Sequence, residues 1–436
     1  MSGKSESGTL RQLDLFRFWL PLASTWMMMA VEGPFLAAVI ARLDDPLYNL
    51  AAYGVAFAVA IIAEAPVIMM LGASTALVDG RLSFMRLRRF AQLLNLITTA
   101  LMALVVLTPL YGWIFESLIG LDPRIAGITR GALMIMLPWP AAIGYRRFHQ
   151  GLLIRSGSPR RVAYGTVIRL SAMLSVALGI YLTTELKGAW LAAVALASAV
   201  SVEAVAARWM ARHEVRRLTA PDAELGTDIR YGEIWTFYLP LAWTSAVSLA
   251  AHPLVVFFMG HAARPLESLA VLPVINALTF FFRSFGLAYQ EVAITMLNRQ
   301  PAARRAIFRF AATLAILASV GLALIVATPL ARFWFMSVSG LDAELYRFAL
   351  LPSWILIPFP ALSVLLSLQR GWLMHTRRTQ PISRATIAEI VGIALLLSIQ
   401  IFYFDWVGVI AAAIAFIGGR LAANLLLLSS MRHAAP

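Results

Sequence analysis

The sequence predicts an all-α polytopic membrane protein: twelve transmembrane helices in two six-helix lobes related by pseudo-twofold symmetry. Three observations predict this. The chain is 60% hydrophobic and 13% charged, with a mean hydropathy of +0.78, whereas a soluble chain carries about 25% charged residues. Apolar runs of roughly 20 or more residues recur, each long enough to cross about 30 Å of hydrocarbon. And the chain repeats itself, which in an apolar protein marks transporter-type architecture.

The repeat is carried by short stretches in one register. Phe-Trp-Leu-Pro-Leu-Ala at 18–23 returns as Phe-Tyr-Leu-Pro-Leu-Ala at 237–242, 219 positions later. Leu50 and Ala51 return as Leu269 and Ala270, and Thr-Pro-Leu at 108–110 as the same triplet at 328–330. Gly-Leu-Asp at 120–122 returns at 340–342, Pro-Trp-Pro at 138–140 as Pro-Phe-Pro at 358–360, and Gly-Leu-Leu at 151–153 as Gly-Trp-Leu at 371–373. The offset stays at 219 or 220 throughout, so the gene has been duplicated in tandem.

The spans fall at about 15–41, 48–74, 90–112, 126–152, 162–184 and 188–210, then 235–260, 266–292, 306–330, 345–369, 382–403 and 406–430. Arginines cluster after every second span: Arg81, Arg86, Arg88 and Arg89; Arg155, Arg160 and Arg161; Arg212, Arg216, Arg217 and Arg230; Arg299, Arg304 and Arg305; Arg377, Arg378 and Arg384. The alternate loops hold few basic residues, among them Arg42, Arg124, Lys187 and Arg264. By the positive-inside rule the even-numbered loops and both termini are cytoplasmic, here of a bacterial inner membrane. Both halves start on the same side, so the repeat is parallel, with its axis along the membrane normal. The domain reading is a tail at 1–14, an N-lobe at 15–212, a polar linker at 213–232 and a C-lobe at 233–431.

Composition also excludes. A beta-barrel would show short alternating segments. The polar stretch at 1–13, followed by an overlong apolar run, is not a cleavable signal. With no cysteine there is no disulfide, thiolate metal site or cysteine nucleophile. The net charge of +14 is explained by the cytoplasmic loops, so nucleic acid is not expected as a partner. No metalloprotease, nucleophile-elbow or phosphate-loop motif is present, and the histidines are dispersed, so an enzyme is not expected. Neither a metal nor a cofactor is implied.

A family resemblance rests on particular stretches. Leu-Ala-Ala-Tyr-Gly-Val-Ala-Phe at 50–57, following Pro21, Leu22 and Glu32, resembles the progressive ankylosis (ANKH-type) transporters. So do Gly-Leu-Asp at 340–342, Pro-Phe-Pro at 358–360, Gly-Trp-Leu-Met at 371–374, and His-Gln-Gly-Leu-Leu at 149–153. That family lies in the multidrug/oligosaccharidyl-lipid/polysaccharide (MOP) exporter superfamily, with the MATE efflux pumps and the lipid-linked-sugar flippases. The resemblance implies a MATE-like fold, a cleft between lobes, alternating access, and export of polyvalent anions such as citrate, ATP or pyrophosphate. The long acidic C-terminal tail of the animal members has no counterpart here, which bears on their partner functions and not on the fold.

Charges within the spans point to the site. An ionisable group at mid-membrane costs about 2.5–3.5 kcal/mol on insertion scales and is functional by default. Glu32, Glu64, Arg169, Glu203, His252, Arg283, Glu389 and Arg420 are such groups, and Arg146, Arg147, His149 and Glu291 lie nearer the cytoplasmic ends. In the repeat register Glu64 falls on Arg283 and Arg169 on Glu389, with opposite signs. Glu64 and Arg283 are expected to face one another across the cleft, to bind opposite charges on ligand and ion, or to pair within their own lobes. Arg169 and Glu389 are expected to form a structural or gating ion pair. Glu32, beside Pro34, is a candidate for coupling to H+ or Na+, because a proline leaves a helix carbonyl free, or else bonds a neighbouring helix; Glu64, before Pro66, shares the coupling candidacy. Glu203 is expected to bond a neighbouring helix, and His252 to be a bundle histidine. Arg146, Arg147 and His149, with Arg370 in the second half, would gather anions by electrostatic focusing or snorkel to lipid phosphates. The central-cleft candidates are therefore Glu32, Glu64, Arg283, His252, Arg147, His149, Glu291 and Arg370.

A duplicated bundle with intramembrane charges fits a secondary-active transporter, taken here as a monomer in the lipid bilayer with a small anionic substrate. Three substrate classes compete: polyvalent anions, which suit the cationic residues; organic cations, which suit Glu32, Glu64 and the aromatics at 280–282; and lipid-linked substrates. In each, rigid lobes would rock around a central site, with prolines and glycines in spans 1, 2, 4, 7 and 10 letting helices bend.

Overall fold

The computed structural model describes residues 11–432 except 159, 300–302, 377 and 379. Most of the tail expected at 1–14, and Arg377, lie outside the described residues. Among the described residues, 11 helices are long and apolar enough to cross a membrane, and a bent first helix makes 12. These are α1 (Gln12–Ile40), α2 (Pro46–Leu77), α3 (Arg81–Leu107), α4 (Pro123–Arg155), α5 (Arg160–Thr183) and α6 (Gly188–Met210). The second set is α7 (Tyr231–Gly260), α8 (Pro265–Leu297), α9 (Arg304–Val326), α10 (Ala343–His375), α11 (Gln380–Tyr403) and α12 (Gly408–Met431).

Leucine-rich faces point outward. Leu93, Leu96, Leu101 and Leu104 of α3, and Ile316, Leu317, Val320 and Leu324 of α9, are exposed. An exposed apolar belt of this extent suits hydrocarbon, and the interior is built on small residues instead. On α6, Ala192, Ala193, Ala195 and Ala199 are buried, letting neighbouring helices approach closely.

The repeat is visible in local structure. After α3 and after α9 the chain makes a π-helical turn, Trp113–Leu118 and Phe333–Val338. Each is followed by a glycine with positive φ, Gly120 at 73° and Gly340 at 75°, a conformation that L side chains resist. Next comes an aspartate whose carboxylate caps the following helix. Asp122 accepts from Arg124 N at 2.8 Å, and Asp342 from Leu345 N at 2.8 Å. The second helix of each lobe also clamps the sixth at one spot. Asn49 Oδ1 accepts from Ala189 N at 3.1 Å, and Ser268 Oγ from Val409 N at 3.2 Å.

Breaks fall where proline removes a helical N–H. α4 is interrupted at 136–138, before Trp139 and Pro140, and α10 at 356–358, before Phe359 and Pro360. α1 bends by 40° between Ser24 and Trp26, a turn after Pro21, and α7 breaks at Ala250, a turn before Pro253.

The packing crosses the boundary that the sequence suggests at 232/233. The N-terminal half of α1, through Leu15, Trp19 and Ala23, shares a core with Ala288, Tyr289, Phe310 and Val364 of the second lobe. Trp19 Nε1 donates to the Phe285 carbonyl at 3.1 Å. Reciprocally, Ile234 and Tyr238 of α7 pack with Met70, Phe84 and Phe148 of the first lobe, and Tyr238 donates to the Pro66 carbonyl at 2.5 Å. At the opposite end Arg42 ties α1 to the second lobe, donating to the Ser337 carbonyl and to that of Val338 at 2.9 Å.

Candidate functional site

Between the lobes lies a cavity of about 470 Å³. Small residues bring its walls together. A Cβ on Gly54 of α2 would meet Pro273 Cγ of α8 at 2.9 Å. The N-lobe wall carries Glu32, Tyr53 and Phe57, and the C-lobe wall carries His252, Asn276, Arg283, Arg370, Glu389 and Arg420, with Phe359 behind them.

On the N-lobe side the charges balance in number, although among the described residues no acceptor reaches Arg147. Arg169 Nη2 donates to Glu32 at 2.6 Å, and its Nε lies 3.5 Å from Glu203. Arg146 donates to Glu203, and Gln150 Nε2 donates to it at 3.1 Å. Trp139 Nε1 donates to Glu64 at 3.0 Å, and Arg146 and Arg147 lie close enough to act electrostatically on that carboxylate. Three carboxylates, Glu32, Glu64 and Glu203, thus meet three guanidiniums, Arg146, Arg147 and Arg169.

On the C-lobe side they do not. Arg420 Nε donates to Glu389 at 2.7 Å, and its Nη1 to Ser363 at 2.8 Å. Arg370 Nη2 donates to Thr386 at 3.1 Å. Among the described residues no acceptor reaches Arg283, whose guanidinium lies 4.5 Å from the centre of the Phe359 ring, with Arg420 at 4.9 Å. Around Glu389, three guanidiniums share one carboxylate.

Four sequence candidates, Glu32, His252, Arg283 and Arg370, line the cavity together, and so does Glu389. Glu64, Arg147, His149 and Glu291 do not line it. Glu64 turns to Trp139. Arg147 lies half-buried towards Glu64. His149 is buried within α4, its Nδ1 donating to the Tyr145 carbonyl at 2.8 Å, and Glu291 is exposed on α8. The expected Arg169–Glu389 pair is corrected: each binds within its own lobe, Arg169 to Glu32 of α1 at 2.6 Å and Glu389 to Arg420 of α12 at 2.7 Å, because the neighbouring helices of each lobe bring a nearer counter-ion. Glu64 and Arg283 likewise do not meet across the cleft: Glu64 accepts from Trp139 in its own lobe, and Arg283 lines the cavity with no carboxylate bonded to it among the described residues.

Arg420 stood out in the sequence as an intramembrane charge, but nothing there placed it at the site, since its tie to Glu389 joins two helices. Phe359 carried a usable signal, because it occupies the repeat position of Trp139 in Pro-Trp-Pro. Among the described residues no group of three His, Cys, Asp or Glu is placed to hold a metal ion.

No family model and no curated protein matches the chain. Solved structures do. An inward-facing multidrug-resistance MATE transporter of the MOP superfamily aligns over 97% of this chain and 98% of its own, with a TM-score of 0.64 and 14% identity. The chain shares the fold of this transporter. A MOP transporter from Pyrococcus furiosus, whose description speaks of a reversed polarity of its binding pocket, aligns over 98% and 99% with a TM-score of 0.67 and 18% identity. The lipid II flippase MurJ, in an inward closed conformation, aligns over 95% and 87% with a TM-score of 0.68 and 13% identity.

Proposed function

We propose that the chain is a secondary-active transporter of the progressive ankylosis type, exporting small organic or polyvalent anions across a bacterial inner membrane. Both termini are cytoplasmic, and the protein acts as a monomer. The observation that carries this reading is the wall of the cavity with three arginines to one carboxylate. Buried guanidiniums without counter-ions are costly, and an entering carboxylate or phosphate relieves that cost through charge-assisted hydrogen bonds. A solved neighbour of the same fold is likewise described as having a binding pocket of reversed polarity, which suggests a different function for it. Movement follows from rocking of the lobes, the contacts at Trp19, Tyr238 and Arg42 breaking on one side at a time.

A second reading is efflux of organic cations coupled to H+ or Na+. Glu32 favours it, because this carboxylate lines the cavity beside Tyr53 and Phe57. Against it, Glu32 is already neutralised by Arg169. Flux in proteoliposomes separates the two. Labelled citrate or pyrophosphate is expected to move and to stop with Arg283→Ala. Movement of a cationic dye alone, lost in Glu32→Gln, would establish the second reading instead.

A further inference from the structure

We propose that the C-lobe wall holds a single doubly charged anion between Arg283, Arg370 and Arg420, and that Glu389 sets this valence. The proposal rests on the anion reading above and specifies its ligand.

Glu389 is committed to Arg420 at 2.7 Å. Arg283 has no acceptor among the described residues, and Arg370 has only the neutral Thr386 hydroxyl. Two positive charges therefore remain uncompensated on this wall. The facing wall cancels neither, because Glu32 is held by Arg169 at 2.6 Å. The positive face is also built before any ligand arrives. Arg283 and Arg420 both lie against Phe359, at 4.5 and 4.9 Å, so the ring's negative face offsets part of their mutual repulsion and holds both donor forks in place.

With the guanidiniums buried or half-buried in the cavity wall, charge matching decides affinity. A monoanion leaves one guanidinium unpaired. A trianion sets its third charge against Glu389 after losing its hydration. A dianion satisfies both arginines, and a cavity of about 470 Å³ admits a short dicarboxylate or a phosphate monoester.

The test is calorimetric binding to the purified full-length protein, using short aliphatic carboxylates of three valences: propionate, succinate and tricarballylate. Succinate is expected to bind about tenfold more tightly than either neighbour, the worth of one charge-assisted bond. Glu389→Gln should move the optimum to tricarballylate. Arg370→Gln, which installs the residue that the N-lobe carries at the equivalent Gln150, should move it to propionate and serves as the readout even where Glu389→Gln fails to fold. Affinity rising steadily with charge, or an optimum that Arg370→Gln leaves at succinate, would overturn the proposal. Binding of none of the three would instead sink the anion reading itself. Displacement of succinate by methyl phosphate, and not by dioctanoyl phosphatidate, places the ligand in solution; displacement by the lipid alone overturns a soluble dianion.

Discussion

The two lobes are built on one plan but set different charges at related positions. Glu32 falls on His252 at an offset of 220, Glu64 on Arg283 at 219 and Arg169 on Glu389 at 220, while Glu203 falls within three residues of Arg420. The aromatic at the break of the fourth helix follows the inversion. Trp139 offers an indole N–H to a carboxylate, and Phe359 offers its π face to a guanidinium. Yet the inversion is incomplete. The N-lobe adds Arg146 and Arg147 and so closes its charge balance, whereas the C-lobe adds Arg370 and opens it further. A balanced network is satisfied by its own members and holds helices together. An unbalanced one on the same scaffold is left to bind something else.

The strongest break of this comparison is to give the C-lobe the N-lobe's sign. Arg283→Glu is expected to abolish anion flux in proteoliposomes. Adding Glu64→Arg should not restore it, since the two residues do not touch; rescue by the double variant would show that they act as a pair across the cleft.

Next in size is a stability effect confined to the closed network. Glu203→Gln leaves Arg146 and Arg169 without their shared carboxylate in a buried site, a loss of about 3–5 kcal/mol. A clear fall in Tm is expected. An unchanged melting curve would mean that the N-lobe charges are solvated and not mutually satisfied.

The aromatics give smaller effects of different kinds. Trp139→Phe removes the hydrogen bond to Glu64 and should cost stability by about 1–3 kcal/mol, with anion affinity little changed. Phe359→Leu removes a cation–π contact worth about 0.5–2 kcal/mol and should weaken anion binding more than it lowers Tm. The opposite assignment of these two effects would reverse the roles given to the lobes.

The smallest effect lies outside both constellations, where the linker is pinned to the start of α3. The Ser83 hydroxyl, with the Thr227 hydroxyl and backbone N–H, donates to Asp79 and holds its carboxyl down from 3.8 to about 2. A depressed carboxylate contributes stability above its unfolded value and loses it as pH falls through the folded one. A modest drop in stability is expected between pH 4 and pH 2, and it should be absent in Asp79→Asn.

Taken alone, the sequence determined the twelve spans, the duplication and the caps that repeat with it, because these follow from local hydropathy, from register and from proline and glycine chemistry. It also marked nearly every charged residue of both constellations, since any ionisable group within a span is conspicuous. What only the tertiary structure decided is which charge meets which. Glu64 and Arg283 invited pairing by symmetry, but ion pairs are settled by the nearest counter-charge in three dimensions, and Trp139 and Phe359 reach them first within their own lobes. The exchange of the first halves of α1 and α7 between lobes was hidden for the same reason. Hydropathy states that a segment is buried, and only packing states against what.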